Sequence, residues 1–276
     1  MTPVALESVL LPGARALLAS HARELPQRDD LCGAFCGALA LHAAGLERDA
    51  SGEPLDQDAV ALAAGSIVSP AREAGTLPAG EPGRRDYRLA IPTVPDSAVS
   101  GTTAAGVVRA LATISGGQLA ALPYSGPWTP GTLHGFFDLA TALEGPVTLV
   151  ANLATHHLWG GRPTVSQLLD YLYDGELDGP GPDWDVGHFA VVFARTSGPG
   201  GHLYALADTY PSLGDHGVHL QPEERLAAAI ARTDKPAGGV IAVVAEAEAG
   251  RVREGAAALG LEEGLWDNGT IEEELP

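Results

Sequence analysis

Apolar positions recur at helical spacing through the first part of the chain and turn to strand-like runs towards its end. Pro12–Glu24 predicts a helix with Leu17, Leu18 and Leu25 on its apolar face. A polar break, Pro26-Gln27-Arg28-Asp29-Asp30, separates it from Leu31–Leu46. That second run is small and apolar throughout, which predicts a buried helix with Cys32 in its first turn. Leu55–Ala64 reads as a helix capped by Asp56. Ser66–Ser100, dense in Pro, Gly and small residues, reads as a long loop with one strand near Tyr87–Ile91. Helices follow at Thr102–Ile114 and, capped by Thr129, at Pro130–Leu143, with a strand at Gln118–Tyr124 between them. Pro146–Leu153 is a buried strand, Thr164–Tyr173 a short amphipathic helix and Glu176–Asp185 an acidic loop.

From Gly187 strands dominate. Phe189–Ala194 and His202–Ala207 flank the hairpin-type loop Ser197-Gly-Pro-Gly-Gly201. A helix at Glu223–Arg232, a strand at Val240–Ala247, a helix near Arg251–Leu259 and a polar tail to Pro276 complete the pattern. A helical first part followed by an antiparallel sheet is an α+β organisation.

Composition narrows the function classes. Hydrophobic residues make up 45 % of the 276, enough to build a core and to exclude a wholly disordered chain. The formal net charge of −19 repels phosphate backbones and anionic lipid, so neither nucleic acid nor a membrane is an expected partner. The same charge favours a neutral or basic peptide substrate. Met1–Leu11 has no basic residue and lacks a signal-peptide layout, and no apolar run approaches the ~20 residues of a membrane helix. The expectation is a cytoplasmic protein of unspecified oligomeric state. Cys32 and Cys36, the two cysteines, are four residues apart on one helix, a poor geometry for a disulfide, and are read as free thiols.

Three short segments carry candidate chemistry. Cys32 opens a helix, where the dipole and free amides favour a thiolate. Gly33 beside it would leave room for a substrate backbone. Gln27 could turn its amide to the same point and form, with the Cys32 N–H, a two-donor oxyanion hole. The plain alternative is a small buried cysteine beside a surface glutamine. Cys36 lies one turn deeper, farther from the free amides. His188 opens the strand Gly187-His188-Phe189, although a strand-edge histidine can simply face solvent. Asp208 closes the next strand twenty residues on; it would fix the histidine tautomer, or merely start a turn. Trp184, just before Gly187-His188, would shape a substrate wall or simply anchor its loop. Asn152, His156, His157 and Trp159 read as loop surface, with His156 or Trp159 lining a cleft. His216 and His219 are expected to be exposed. No metal-ligand spacing is present, the glycine-rich stretches lack a phosphate-loop pattern, and the lone lysine, Lys235, sits in a turn. No cofactor or metal is expected.

The order Gln27, Cys32-Gly33 with Cys36, His188-Phe189 and Asp208 resembles that of the papain-like cysteine peptidases. Within them it is most similar to the bacteriocin-processing (double-glycine leader) peptidases and their stand-alone relatives. The resemblance covers roughly Leu25–Leu46 and Pro146–Leu213. It implies a single papain-like α+β domain over residues 1–276, with the cysteine helix packed on a C-terminal antiparallel sheet. A long insertion falls at about 65–145 and a loop insertion at about 152–186. It also implies Cys32 as nucleophile, His188 as general base and acid, Asp208 as orienter and Gln27 as oxyanion donor, with Gly33, Gly187, Trp184 and Trp159 beside the substrate. The implied reaction is cleavage of a peptide or amide bond through a Cys32 thioester. Acyl transfer or peptide ligation through the same thioester is the alternative. Leu31 stands where the family has an acid and Thr209 where it has a proline, so an inactive peptide-binding relative is a further one.

Overall fold

The computed structural model describes residues 6–71 and 75–271. Its centre is an antiparallel sheet in which β6 (Val218–Pro222), β5 (His202–Ala207), β4 (Gly187–Ser197), β3 (Thr148–Ala154), β7 (Gly239–Ala245), β2 (Leu119–Ser125) and β8 (Glu262–Glu263) follow one another. A further strand, β1 (Glu7–Leu10), pairs with β4 over Ala194–Ser197, beyond the stretch of β4 that β3 covers. The period-2 alternation of β4 divides the interior. Phe189, Val191 and Phe193 enter one apolar cluster; Ala190 and Val192 enter another.

The first cluster is covered by α1 (Ala14–Glu24), α2 (Cys32–Ala43), α3 (Gln57–Ala64) and α4 (Ala104–Ile114). α2 is apolar all round because it is buried all round, with α1, α3, α4 and β4 packed against it. The second cluster is covered by α5 (Pro130–Thr141), α7 (Glu223–Ala231) and α8 (Ala249–Ala258). α6 (Val165–Asp174) contributes Tyr171 and Leu172 to a smaller cluster with Trp159 and Leu203. The class is α+β, as the hydrophobic pattern implies. The expected segregation of helices before sheet is replaced by helices on both faces. The segment at about 65–145 is no appendage: it supplies α4 and α5 to opposite faces, and β2 pairs with β7 within the sheet.

The expected strand near Tyr87–Ile91 does not form. Its Arg88 and Leu89 amides donate to the Asp58 carboxylate instead of to a neighbouring strand. β1, β6 and β8 escape the pattern because they are short and polar; β6 carries His219 and Gln221 and ends in Pro222. The polar tail beyond Ile271 lies outside the described residues. No helix among the described residues is long and apolar enough to cross a membrane.

The stretch before α2 is fixed by a strap formed from residues 84–89. Arg28 pairs with the fully buried Asp58 at 3.0 Å, a contact whose alignment falls outside that of a hydrogen bond. Arg28 Nε donates to the Asp86 carbonyl. Arg85 pairs with Asp29 at 2.9 Å, and the Tyr87 hydroxyl donates to the Asp29 carbonyl. Asp30 accepts the Ser69 amide at 2.7 Å. These contacts anchor both sides of the segment that delivers Gln27 and Cys32.

Asp58→Ala should therefore destabilise the fold by about 3–5 kcal/mol, because it leaves the buried Arg28 guanidinium only the exposed Asp86, 4.0 Å away, as counter-charge. Urea denaturation measures this directly. A loss below about 1 kcal/mol would show that the strap does not depend on the pair.

Candidate active site

The site lies at the end of the sheet where β4 and β7 begin and β3 and β5 finish. Cys32 is the first residue of α2, and Leu31 before it offers no side-chain cap. Of the residues of that first turn, Cys32 alone lines the adjoining cleft. The Cys32 side chain is half-buried, whereas Cys36 is sealed in the core. Burial pushes the Cys36 thiol well above its ordinary value, and the charges of Cys32 and Asp208 add to the rise. Of the two thiols, only Cys32 lines the cleft.

His188, the second residue of β4, and Asp208, immediately after β5, are both buried. His188 Nε2 lies 2.9 Å from Asp208 Oδ1. Cys32 lines the same cleft as the ring, and with Nε2 taken, Nδ1 is the nitrogen left for another partner. Asp208 Oδ1 accepts the Thr209 amide at 2.6 Å, and Oδ2 is 3.1 Å from His219 Nε2. The Asp208 carbonyl is 2.5 Å from His21 Nε2. Burial pulls the His188 imidazolium down, but the charge and hydrogen bond of Asp208, with a contribution from Cys32, more than offset it and raise the group to about 10. Burial alone would raise Asp208; His188 and His219 instead hold it far below the ordinary carboxylate range.

Gln27 Nε2 donates to the Tyr210 hydroxyl at 2.8 Å, and its backbone N–H donates to the Thr209 carbonyl. Trp184 meets the His188 ring edge-on at 4.8 Å and Tyr210 at 5.5 Å, forming an aromatic wall. The cleft holds about 460 Å³, within the ~300–1,000 Å³ of small-molecule sites. Residues from three distant stretches close it: Ser97–Thr102 on one side, Arg232–Pro236 on another, and Asn268–Thr270 returning from the C-terminal side.

A family model of unknown function, DUF6885, matches residues 11–267. The chain belongs to that family. The match spans the segments carrying Gln27, Cys32, His188 and Asp208, so the whole constellation lies inside the DUF6885 region. No curated protein gives a significant match.

Six of the sequence-derived positions, Gln27, Cys32, Trp184, Gly187, His188 and Asp208, come together in this DUF6885 chain. Two do not lie where expected. Gly33 faces the core: an added Cβ would stand 3.0 Å from Thr102 and 3.2 Å from Phe189, so the glycine permits helix–sheet packing and does not make room for substrate. Trp159 is buried against Tyr171 and Leu203, away from the cleft. It meets the site only indirectly, through backbone bonds to Gln221, which donates to His219, which holds Asp208.

His219 is buried and not exposed, while His216 is exposed as expected. Asn152 is no loop residue either. It is a buried position of β3 whose Nδ2 donates to the His188 carbonyl at 3.3 Å and whose Oδ1 accepts from Arg232 and Trp266. Tyr210, His219, Asn152 and Arg232 were thus missed as site residues. An amide alone in the apolar run Thr148–Ala154 was the available signal for Asn152. Among the described residues, two groups present three metal-competent ligand atoms within 4.8 Å of one another: His156, His157 and Asp234 near the cleft, and His134, His202 and Glu223 elsewhere. Asp234 and Glu223 lie too far along the chain for sequence spacing to join them to these histidines.

The pH dependence follows from these shifts. His188 is raised above its ordinary 6.5, so its contribution to stability is complete below 6.5 and is lost as pH rises through about 10. Asp208 is depressed, so its contribution is present above the ordinary 3.8 and is lost as pH falls through the folded value. NMR titration should find His188 protonated beyond pH 8 in the parent. In Asp208→Asn, where burial is less opposed, the midpoint should fall by more than one unit; an unmoved midpoint would remove Asp208 as the cause.

Proposed function

We propose that this protein is a papain-like cysteine hydrolase that cleaves a peptide or amide bond through a Cys32 thioester. The observation carrying the reading is that Cys32, at the start of a buried helix, lines one cleft with His188, whose ring is held at Nε2 by the buried Asp208 carboxylate. A cation kept on the imidazole favours the anionic sulfur beside it. The thiolate attacks the substrate carbonyl, and His188 then passes its proton to the leaving amine. Water, activated by the same ring, resolves the thioester. Asp208 orients the ring and stays ionised throughout, as in the serine and cysteine triads generally.

The oxyanion falls to the Cys32 N–H and the Gln27 amide. Gln27 Oε1 is buried without a partner in the orientation described. Turning the amide over lets Tyr210 donate to Oε1 and places Nε2 where the orphaned oxygen stands. That exchange pairs Oε1 and leaves the amide N–H free to meet an oxyanion. The Trp184–Tyr210 wall then shields the ring pair from water on one side.

The test is site-resolved alkylation with iodoacetamide, read by peptide mass spectrometry from pH 5 to 9. Cys32 should react at least about a hundredfold faster than Cys36 at pH 6, and His188→Ala should remove most of that advantage. Cys32→Ala should abolish turnover of any amide substrate found, while Cys36→Ala should keep it. Equal, slow labelling of both thiols, indifferent to His188, would refute the reading.

A further inference from the structure

Arg232 follows α7 in a left-handed backbone conformation, φ 46°, which a residue with a Cβ rarely adopts. Its side chain turns into the cleft and is only 3 % exposed. Nη1 donates to Asn152 Oδ1 at 2.6 Å. Nε is buried without a partner, and among the described residues nothing accepts from Nη2. Nor does any carboxylate among them pair with this guanidinium. Asp234, the nearest acid along the chain, is turned to His156 at 2.7 Å and His157 at 3.2 Å. The other cations that line the cleft have counter-charges: Arg85 pairs with Asp29, and Lys235 with Asp185 at 2.7 Å. A guanidinium remains protonated at physiological pH even when buried.

The unpartnered nitrogens, Nε and Nη2, form one edge of the guanidinium fork, the edge that matches a carboxylate with two parallel hydrogen bonds. Gly187 flanks it; a Cβ there would come within 3.0 Å of Nη2. Asn152 joins Arg232 to the His188 backbone, which fixes the guanidinium relative to the catalytic ring. We propose that Arg232 is a specificity-determining residue that binds a carboxylate of the substrate, so that the cleft takes acyl compounds with a free carboxylate close to the scissile amide. This rests on the cysteine-hydrolase reading and deepens it. It also revises the expectation of a neutral or basic substrate drawn from net charge: the acidic surface is general, whereas this guanidinium inside the cleft has no carboxylate paired with it among the described residues.

The test compares two electrophiles of the same reactivity, iodoacetyl-glycine and iodoacetyl-glycinamide, and the corresponding β-alanine pair with one more carbon. In each, the Cys32 sulfur forms a bond to the methylene carbon and iodide leaves with the electron pair of the broken C–I bond. The readout is the ratio of acid to amide labelling rates at Cys32. The parent protein should prefer the acid about tenfold or more at one of the two lengths. Arg232→Gln should bring that ratio close to one, and Arg232→Lys, which keeps the charge but loses the fork, should retain part of it. A ratio near one at both lengths in the parent overturns the proposal whether or not any variant folds. A preference that survives Arg232→Gln also overturns it. Slow labelling by all four probes would instead remove the hydrolase reading, and this inference with it. Fast labelling without an acid preference would remove this inference alone.

Discussion

A carboxylate withdrawn from water must be met by donors on every side, and Asp208 organises the molecule around that requirement. Its two oxygens face His188, His219 and the Thr209 amide, and its backbone carbonyl faces His21 of α1. Through these contacts one residue ties together α1, β4, β5 and β6. The next residue, Thr209, accepts the Gln27 amide and so fixes the segment leading into α2. The cysteine end and the histidine end of the site are thus referenced to the same short stretch of chain. Loss of the carboxylate would loosen that reference as well as one hydrogen bond.

The sheet supports this arrangement by its register. β4 runs between β3 and β5, and the antiparallel pairings place the start of β4 beside the end of each. Asn152, His188 and Asp208 therefore reach one end of the sheet from three strands. α2 crosses beneath them with its first turn at the same end, held by apolar packing that leaves little freedom. At Gly33 the approach to Thr102 and Phe189 is close enough that a larger residue would have to displace its neighbours. Precision at the cysteine comes from this packing more than from any polar bond the cysteine makes.

Much of this was legible in the chain itself, and the rest was hidden for identifiable reasons. Helix positions and caps were local matters: Asp56 accepts the Ala59 amide and Thr129 the Thr132 amide, as their placement before apolar runs implied. Cys32, His188 and Asp208 stood out because each sits at an element boundary, where a reactive group can be presented. Arg232 and His219 did not, because a lone arginine after a helix and a histidine in a polar strand look like surface. Their burial is decided by what packs over them from elsewhere in the chain. The misreading of Trp159 has the same origin: a tryptophan after a strand near the site was as well placed to fill a small core as to line a cleft. The strand expected at Tyr87–Ile91 failed because its amides found a side-chain carboxylate, an alternative that backbone propensity does not register.

The return of Trp266–Thr270 has a consequence in time. Trp266 donates to Asn152, Asn268 to the Thr102 carbonyl, and Thr270 to the Ser100 carbonyl. The cysteine is synthesised well before the residues that close its cleft. On the ribosome the helix bearing the thiol must wait for the strands carrying its partners, and the pocket acquires its final wall only when residue 270 has emerged. Contacts this distant along the sequence also make for slow assembly. The chain is so threaded that the Cys32 thiol gains its full enclosure only after residue 270 has been made.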